Sequence, residues 1–270
     1  MKNLICCAAV ATAAASTYGQ NPAPEGDPVL TSVRTPYILD PGKTWADLSF
    51  HAFGGYEKLL YTNVWVAYGL SPGWQLDLRG SFAGDGSVSG PASETDTFRV
   101  PTGETIRFGG SDGELLANYR LPFEVPITLR AGFAYVGTPA QNHPLAGVLG
   151  ASASYSFEKN FSVLVEPKVV FLDDNSLLGL GLGLSYRVTN AVSVFGEWTP
   201  LLSGDNAVDT TTGTRSRCDL YGFGVRFNQP GSPISVDLGI TNSVGLTTGT
   251  SMTPSLGNIA GFYIGGEFRF

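Results

Sequence analysis

The sequence predicts an all-β, transmembrane antiparallel up-and-down β-barrel of about 12 strands, and three observations lead there. Segments with a two-residue period recur along the chain, with one face apolar and the other polar or small. Compact turns alternate with longer loops rich in Gly, Ser, Thr, Asp and Pro. The composition is 43% hydrophobic and 11% aromatic, with 35 Gly and only 14% charged residues, whereas a soluble domain carries about 25%. Beyond the first residues, no apolar run reaches the roughly 18 that a membrane-spanning helix requires. The deficit of charge therefore belongs to a sheet whose outer belt meets lipid.

Taken in order, Lys2 precedes an apolar, Ala-rich run from Leu4 to Ala15 and small residues up to Gly19. Residues 1–19 read as a secretory signal peptide cleaved near Gly19-Gln20. A lipid anchor through Cys6 or Cys7 is disfavoured, because the apolar stretch before them is too short. Both leave with the signal, so Cys218 is expected as a single small residue, buried or lumen-side, without a disulfide partner. Residues 20–43, with five Pro between Asn21 and Pro41, are too irregular for a strand. They are expected as a periplasmic extension or a plug, too short for a globular plug domain.

The barrel is assigned to residues 44–270. Its strands are expected at 45–54, 59–70, 74–82, 113–121, 127–136, 147–157, 161–172, 177–187, 191–199, 218–227, 234–242 and 259–270. Most match the nine to eleven residues, roughly, of a tilted membrane strand. Compact turns fall at Ser71-Pro72-Gly73, Pro122 to Pro126, Glu158-Lys159-Asn160, Val188-Thr189-Asn190 and Asn228 to Pro233. With both termini periplasmic, these turns share one side, and the connections 83–112, 137–146, 200–217 and 243–258 lie outside. Links 55–58 and 173–176 depart from the rule by being short although external.

The faces follow. Trp74, Leu76, Leu78 and Phe82 alternate with Gln75, Asp77, Arg79 and Ser81, and Ile127, Leu129, Ala131, Phe133 and Tyr135 with Thr128, Arg130, Gly132 and Ala134. Leu178 to Tyr186 alternate with Gly179, Gly181, Gly183 and Ser185. In segment 59–70, Tyr61 and Trp65 take the parity opposite to Val64, Val66 and Tyr68, which leaves its register open. The last strand sets Phe262, Ile264, Phe268 and Phe270 on the lipid face, an assembly element like the aromatic C-terminus by which outer-membrane barrels are recognised, against Glu267 and Arg269. Aromatics next to the compact turns, among them Tyr68, Trp74, Tyr119, Phe157, Tyr186 and Phe227, resemble an interfacial girdle. A secreted β-sandwich also shows short alternating strands. Its solvent faces usually carry more Lys, Glu and Thr than the Gly and Ser found here, and closure removes the edges that 12 or so open strands would leave.

Three segments resemble a family of outer-membrane channels linked by name to the meta-pathway of phenol degradation. They are Val66-Ala-Tyr-Gly-Leu-Ser-Pro-Gly-Trp-Gln-Leu-Asp-Leu-Arg79, Tyr186-Arg-Val-Thr-Asn-Ala-Val-Ser-Val-Phe-Gly-Glu-Trp198 and Ile234-Ser-Val-Asp-Leu-Gly-Ile-Thr-Asn242. The resemblance implies a transport-like barrel and supplies no catalytic residue. It gives no ground for taking phenol as the solute.

Catalysis in such a barrel needs a His beside a nucleophilic Ser on a lipid-accessible strand. His51 has Ser49 on its face two positions away, and His143 sits in the loop Asn142-His143-Pro144; both are expected to point into the lumen among other polar residues, with no enzyme. Two distant His and one mature Cys give no metal-ligand spacing, and no cofactor is expected. Acidic loop residues, including Asp112, Asp173, Asp174, Asp205 and Asp209, read as solvated surface. The net charge of −7 becomes −8 once Lys2 leaves with the signal, which argues against nucleic acid as a partner.

The expected function is passive diffusion of small polar or organic solutes through a Gram-negative outer-membrane, porin-like channel. The alternative is a structural or surface-exposed barrel, an adhesin or receptor with a closed lumen. Candidate pore-lining residues are Asp77, Arg79, Asn118, Arg120, Arg130, Glu166, Lys168, Glu197, Arg226, Asp237, Glu267 and Arg269. Their near-equal signs predict weak ion selectivity, and Gly150, Gly179, Gly181 and Gly183 predict an open wall. The 83–112 connection is long enough to act as a constriction. Expected partners are outer-membrane lipid and lipopolysaccharide, the barrel-assembly machinery and an unidentified small-molecule solute.

Overall fold

The computed structural model describes residues 32–54, 59–85, 97–99, 105–107, 112–136, 145–157, 160–172, 175–209, 212, 214–228 and 232–269. Twelve long strands form the wall. They are β1 (Thr44–Phe53), β2 (Leu59–Ser71), β3 (Trp74–Asp85), β4 (Asp112–Arg120), β5 (Ile127–Tyr135) and β6 (Leu145–Phe157), followed by β7 (Phe161–Phe171), β8 (Leu177–Arg187), β9 (Val192–Thr199), β10 (Leu220–Asn228), β11 (Ile234–Thr241) and β12 (Gly261–Arg269). Each pairs antiparallel with its sequence neighbours, and β12 returns to β1 with Trp45 opposite Arg269 and Ala52 opposite Phe262. Leu201–Ser203 extends the β9 side of the wall along β8. The sheet closes on itself, so the wall leaves no open edge, as hydrocarbon requires.

Alternation sets the faces. Leu78 (61% exposed), Phe133 (68%), Leu145 (70%) and Phe262 (76%) point outward with Leu115, Leu129 and Ile264, while their neighbours along each strand are buried inside. Outward Tyr68, Trp74, Phe157, Tyr186 and Phe227 lie near the turns, and Trp74 and Tyr119 stack with ring centroids 4.6 Å apart. Phe133, Tyr135, Phe171, Trp198 and Phe262 form the outward ring toward the loops. In β2, Tyr61, Asn63, Trp65 and Ala67 are buried inside and Val66, Tyr68 and Leu70 face out, which resolves the register left open by the sequence. The inward aromatics have partners there: Trp65 packs edge-on against Trp45 at 4.5 Å.

At the turn end, Pro72 and Gly73 join β2 to β3, and Gly73 takes φ 80°, the positive value that the third residue of a type II turn demands. The N-terminal segment passes over Gly69 so closely that a β-carbon there would stand 2.2 Å from the carbonyl oxygen of Asp40. The residues before that crossing, Ser32 to Pro36, are buried inside the barrel.

Candidate functional site

The lumen is filled by two segments that come from opposite ends. At the turn end, Ser32 to Leu39 forms a plug that is buried over Ser32 to Pro36 and descends to the turns at Leu39. The wall reads its backbone. Glu197 of β9 accepts from the N–H and hydroxyl of Ser32, both at 2.9 Å, and from the Val33 N–H at 3.1 Å. Glu166 of β7 accepts from the Arg34 N–H at 3.0 Å. Lys168 donates to the Ser32 carbonyl at 2.9 Å, Arg130 to that of Thr35 at 2.7 Å and Thr128 to that of Pro36 at 2.7 Å. Nearer the turn end, the Leu39 N–H donates to Gln75 at 2.8 Å.

From the loop end, residues 242–255 fold inward and are buried throughout. The Thr248 N–H donates to Glu114 at 2.9 Å, the Thr247 hydroxyl to Asp112 at 3.2 Å, and the Leu246 N–H to the Ser81 hydroxyl at 3.3 Å. A short 3-10 turn, Thr250–Met252, carries Met252 into an apolar cluster with Leu116, Val148, Val170 and Leu177. Leu246 joins Trp45 and Trp65, and on the plug side Val33 packs with Leu164, Phe195 and Tyr263. Burying such a side chain is worth about 1.5–3 kcal/mol, so each segment has apolar anchors as well as polar ones.

Plug and loop meet at Arg34. Its guanidinium donates to Glu114 at 2.8 Å, to the Leu246 carbonyl at 3.1 Å and to the Thr248 hydroxyl at 3.2 Å, and its Nε stands 3.7 Å from Glu166. Lys168 bridges them again, reaching the Ser251 hydroxyl at 2.9 Å while holding the Ser32 carbonyl. Around them, Arg79 pairs with Asp77 and, at 3.1 Å, with Glu114, and lies 3.7 Å over the Trp65 ring. Glu166 also pairs with Arg130 at 3.5 Å and Lys168 at 3.3 Å.

A second network lies on the opposite wall. Arg226 grips Asp237 with two donors, one of them Nε at 2.7 Å, and pairs with Glu267 at 2.7 Å. Ser235 donates to Glu267 at 3.0 Å, and Arg269, partly exposed, stands 3.7 Å from it.

Of the 12 candidate lumen residues that the sequence singled out, ten are buried inside the wall, Arg269 is partly exposed and Arg120 is exposed. The structure brings Asp77, Arg79, Arg130, Glu166, Lys168 and Glu197 together around the plug, sets Arg226, Asp237, Glu267 and Arg269 in the second network, and leaves Arg120 exposed at the turn end and Asn118 buried beside Gln75. Four functional residues were missed. Glu114 shares the parity of Asn118, Asp47 that of Ser49 and His51, and Asp112, read as a solvated loop acid, is the first inward residue of β4. Arg34 stood in a segment with no strand pattern, although it is the lone charge between Asp27 and Asp40.

With them counted, the balance of the lumen changes. Buried Asp47, Asp77, Asp112, Glu114, Glu166, Glu197, Asp237 and Glu267 outnumber buried Arg34, Arg79, Arg130, Lys168 and Arg226 among the described residues. The open wall expected from the glycines is also corrected, because their space is used. A β-carbon on Gly179 would meet the Met252 sulfur at 2.8 Å, and one on Gly181 would meet Val33 at 3.0 Å. The constricting loop found is 242–255. Of the 83–112 connection, the small hairpin Thr97–Arg99 with Thr105–Arg107 is described, and its place relative to the mouth lies outside the described residues. So do the signal segment 1–19, His143 and Phe270.

Ser49 and His51 both face inward, at 5% and 1% exposure, and His51 Nδ1 lies 3.0 Å from the Ser243 carbonyl. The pair is thus walled off from lipid. Cys218, just before β10, donates its N–H to Asn206 Oδ1 at 2.8 Å, and burial, with Asp219 beside it, pushes its thiol pKa up. Among the described residues no group of His, Cys, Asp and Glu is arranged to hold a metal ion.

No family model matches the sequence, and no curated protein is similar to it in sequence. Solved structures do share its architecture. The NanC porin superposes over 83% of this chain and 100% of its own, with a TM-score of 0.54 and 10% identity. The chain has a porin fold. The KdgM porin aligns over 84% of this chain and 99% of its own, with a TM-score of 0.49 and 10% identity.

Proposed function

We propose that the protein is a porin-like channel of the outer membrane whose passage is closed, in this conformation, by its own N-terminal segment and an inward-folded loop. The observation that carries the reading is what fills the lumen. The wall contributes charged and small inward residues with a few large apolar ones such as Trp45, Trp65 and Phe195, and Ser32–Leu39 and residues 242–255, which belong to no wall strand, lie buried among them. A barrel that served only as a scaffold would fill its interior with its own side chains, as small barrels do. Here the filling is tethered at one or two ends, and held mainly through hydrogen bonds and ion pairs that water can replace.

The porin fold and the family resemblance of the hairpins both support transport, and we propose small polar solutes rather than a phenolic one, because the inward surface is built of carboxylates, guanidinium groups and hydroxyls. The apolar outward face of the wall supports an outer-membrane location, and we propose that residues 1–19 act as the signal that directs the chain there. No catalytic role is proposed for the inward-facing Ser49 and His51. The closed interior is also the one observation that favours a structural or adhesive barrel.

Liposome swelling with neutral sugars of graded size separates the two. In Gly181→Val the new methyl groups collide with Val33, so swelling should run several-fold faster than in the wild type. Equal and negligible swelling in both, with the barrel inserted, would favour the structural reading.

A further inference from the structure

The way the wall holds residues 32–36 is that of a receptor for a peptide. Three successive backbone N–H groups go to two carboxylates on different strands, Glu197 and Glu166. The carbonyls of Ser32, Thr35 and Pro36 go to Lys168, Arg130 and Thr128. The carboxylates take the N–H groups of the first three residues, both of the first two on one Glu197 oxygen, and the cationic and hydroxyl donors take the carbonyls on either side, so main-chain hydrogen bonds supply affinity while pockets supply specificity. Two side-chain positions are read as well. Val33 fits against the bare Gly181 and packs with Leu164 and Phe195. The guanidinium of Arg34 lies between Glu114 and Glu166, and its Nη2 also donates to a carbonyl and a hydroxyl of the inward loop, so a cation at this position meets two carboxylates at once. None of these contacts needs the plug to be covalently part of the chain.

We propose that the lumen is a binding track for a short, arginine-bearing peptide, and that Ser32–Pro36 occupies it as a tethered stand-in for that solute. The proposal rests on the channel reading only in taking the lumen as a passage. The carboxylate excess supports it: when the plug leaves, Arg34 leaves too, and Glu114, Glu166 and Glu197 lose the donors it brought. The vacated track then presents Glu114, Glu166 and Glu197 where the plug's N–H groups and guanidinium had been, so a cationic peptide replaces the lost contacts and an acidic one meets repulsion. A tether gives the plug an effective concentration of order millimolar, so a free peptide competes only when supplied near that level.

The test uses the whole mature barrel, purified from the outer membrane, with Thr35→Cys as a reporter and Cys218→Ser to remove the other thiol. Thr35 is 6% exposed, so a maleimide reacts slowly while the plug is seated. A synthetic pentapeptide, Ser-Val-Arg-Thr-Pro with blocked ends, is added at about 1–10 mM, the range that matches a short tether. Labelling should accelerate saturably, by about tenfold at occupancies where the peptide outcompetes the plug. The same peptide with Ala in place of its Arg should accelerate it far less, and Glu114→Gln in the barrel should raise the peptide concentration required. Equal effects of the two peptides, or no effect of either, would overturn the proposal. The readout does not depend on ion flow: a barrel that never conducts but responds selectively to the arginine peptide keeps the binding track and loses the channel, and one that conducts but ignores the peptide does the reverse.

Discussion

Arg226 shows how much of the lumen rests on single charges. It holds Asp237 with two donors and pairs with Glu267, at 2% exposure. Arg226→Ala leaves those carboxylates facing each other and Asp47 without the guanidinium between them. Breaking a buried pair from one side costs about 3–5 kcal/mol. The urea midpoint of the folded barrel, followed by its gel mobility, should fall accordingly, whereas Arg120→Ala, at the exposed turn end, should leave it within error. At this scale the sequence was informative wherever period two held: Arg226, Asp237 and Glu267 were placed inward from parity alone. It was uninformative at Arg34, because a single arginine in an irregular segment has no periodicity, and its role is set by Glu114 and Glu166, which lie far along the chain.

Among the elements, the wall was legible and its filling was not. Strand positions read from alternation agree with the observed ones to within a few residues; β3 continues to Asp85 and β1 begins at Thr44. The cause is physical, since a wall strand needs lipid on one side and lumen on the other, and that requirement is written into each pair of residues. Segment 242–255 carries no such signature. Its Thr and Ser hydroxyls read as loop composition, and only the Ser81, Asp112 and Glu114 side chains waiting inside make them a constriction. The glycine row of β8 likewise read as absence of bulk, while its meaning is occupancy. The two segments should therefore be separable. Gly181→Val meets Val33 and should loosen the plug; Gly179→Val meets Met252 and should loosen the loop. Limited proteolysis from the turn end should cut near residues 32–39 faster in the first variant and leave the second at the wild-type rate, because an extended segment becomes a substrate once its contacts are lost.

For the molecule as a whole, the account is a lipid-facing porin fold around a polar passage that its own chain occupies from both ends. The charge counts make a further expectation at this scale. With the plug seated, the carboxylates are shared among Arg34 and the wall cations; with it released, they outnumber the remaining ones more strongly, and charged lumen groups tune selectivity. The near-neutral selectivity expected from the sequence thus gives way to a preference for cations in the open state, measurable as a reversal potential in a salt gradient.

Single-channel recording of the wild type beside Arg34→Ala in planar bilayers is the most direct test. The closed-passage account requires a wild type that is silent or opens briefly, and a variant with frequent, ohmic, cation-preferring openings. A variant that inserts as a folded barrel and stays as silent as the wild type would contradict it.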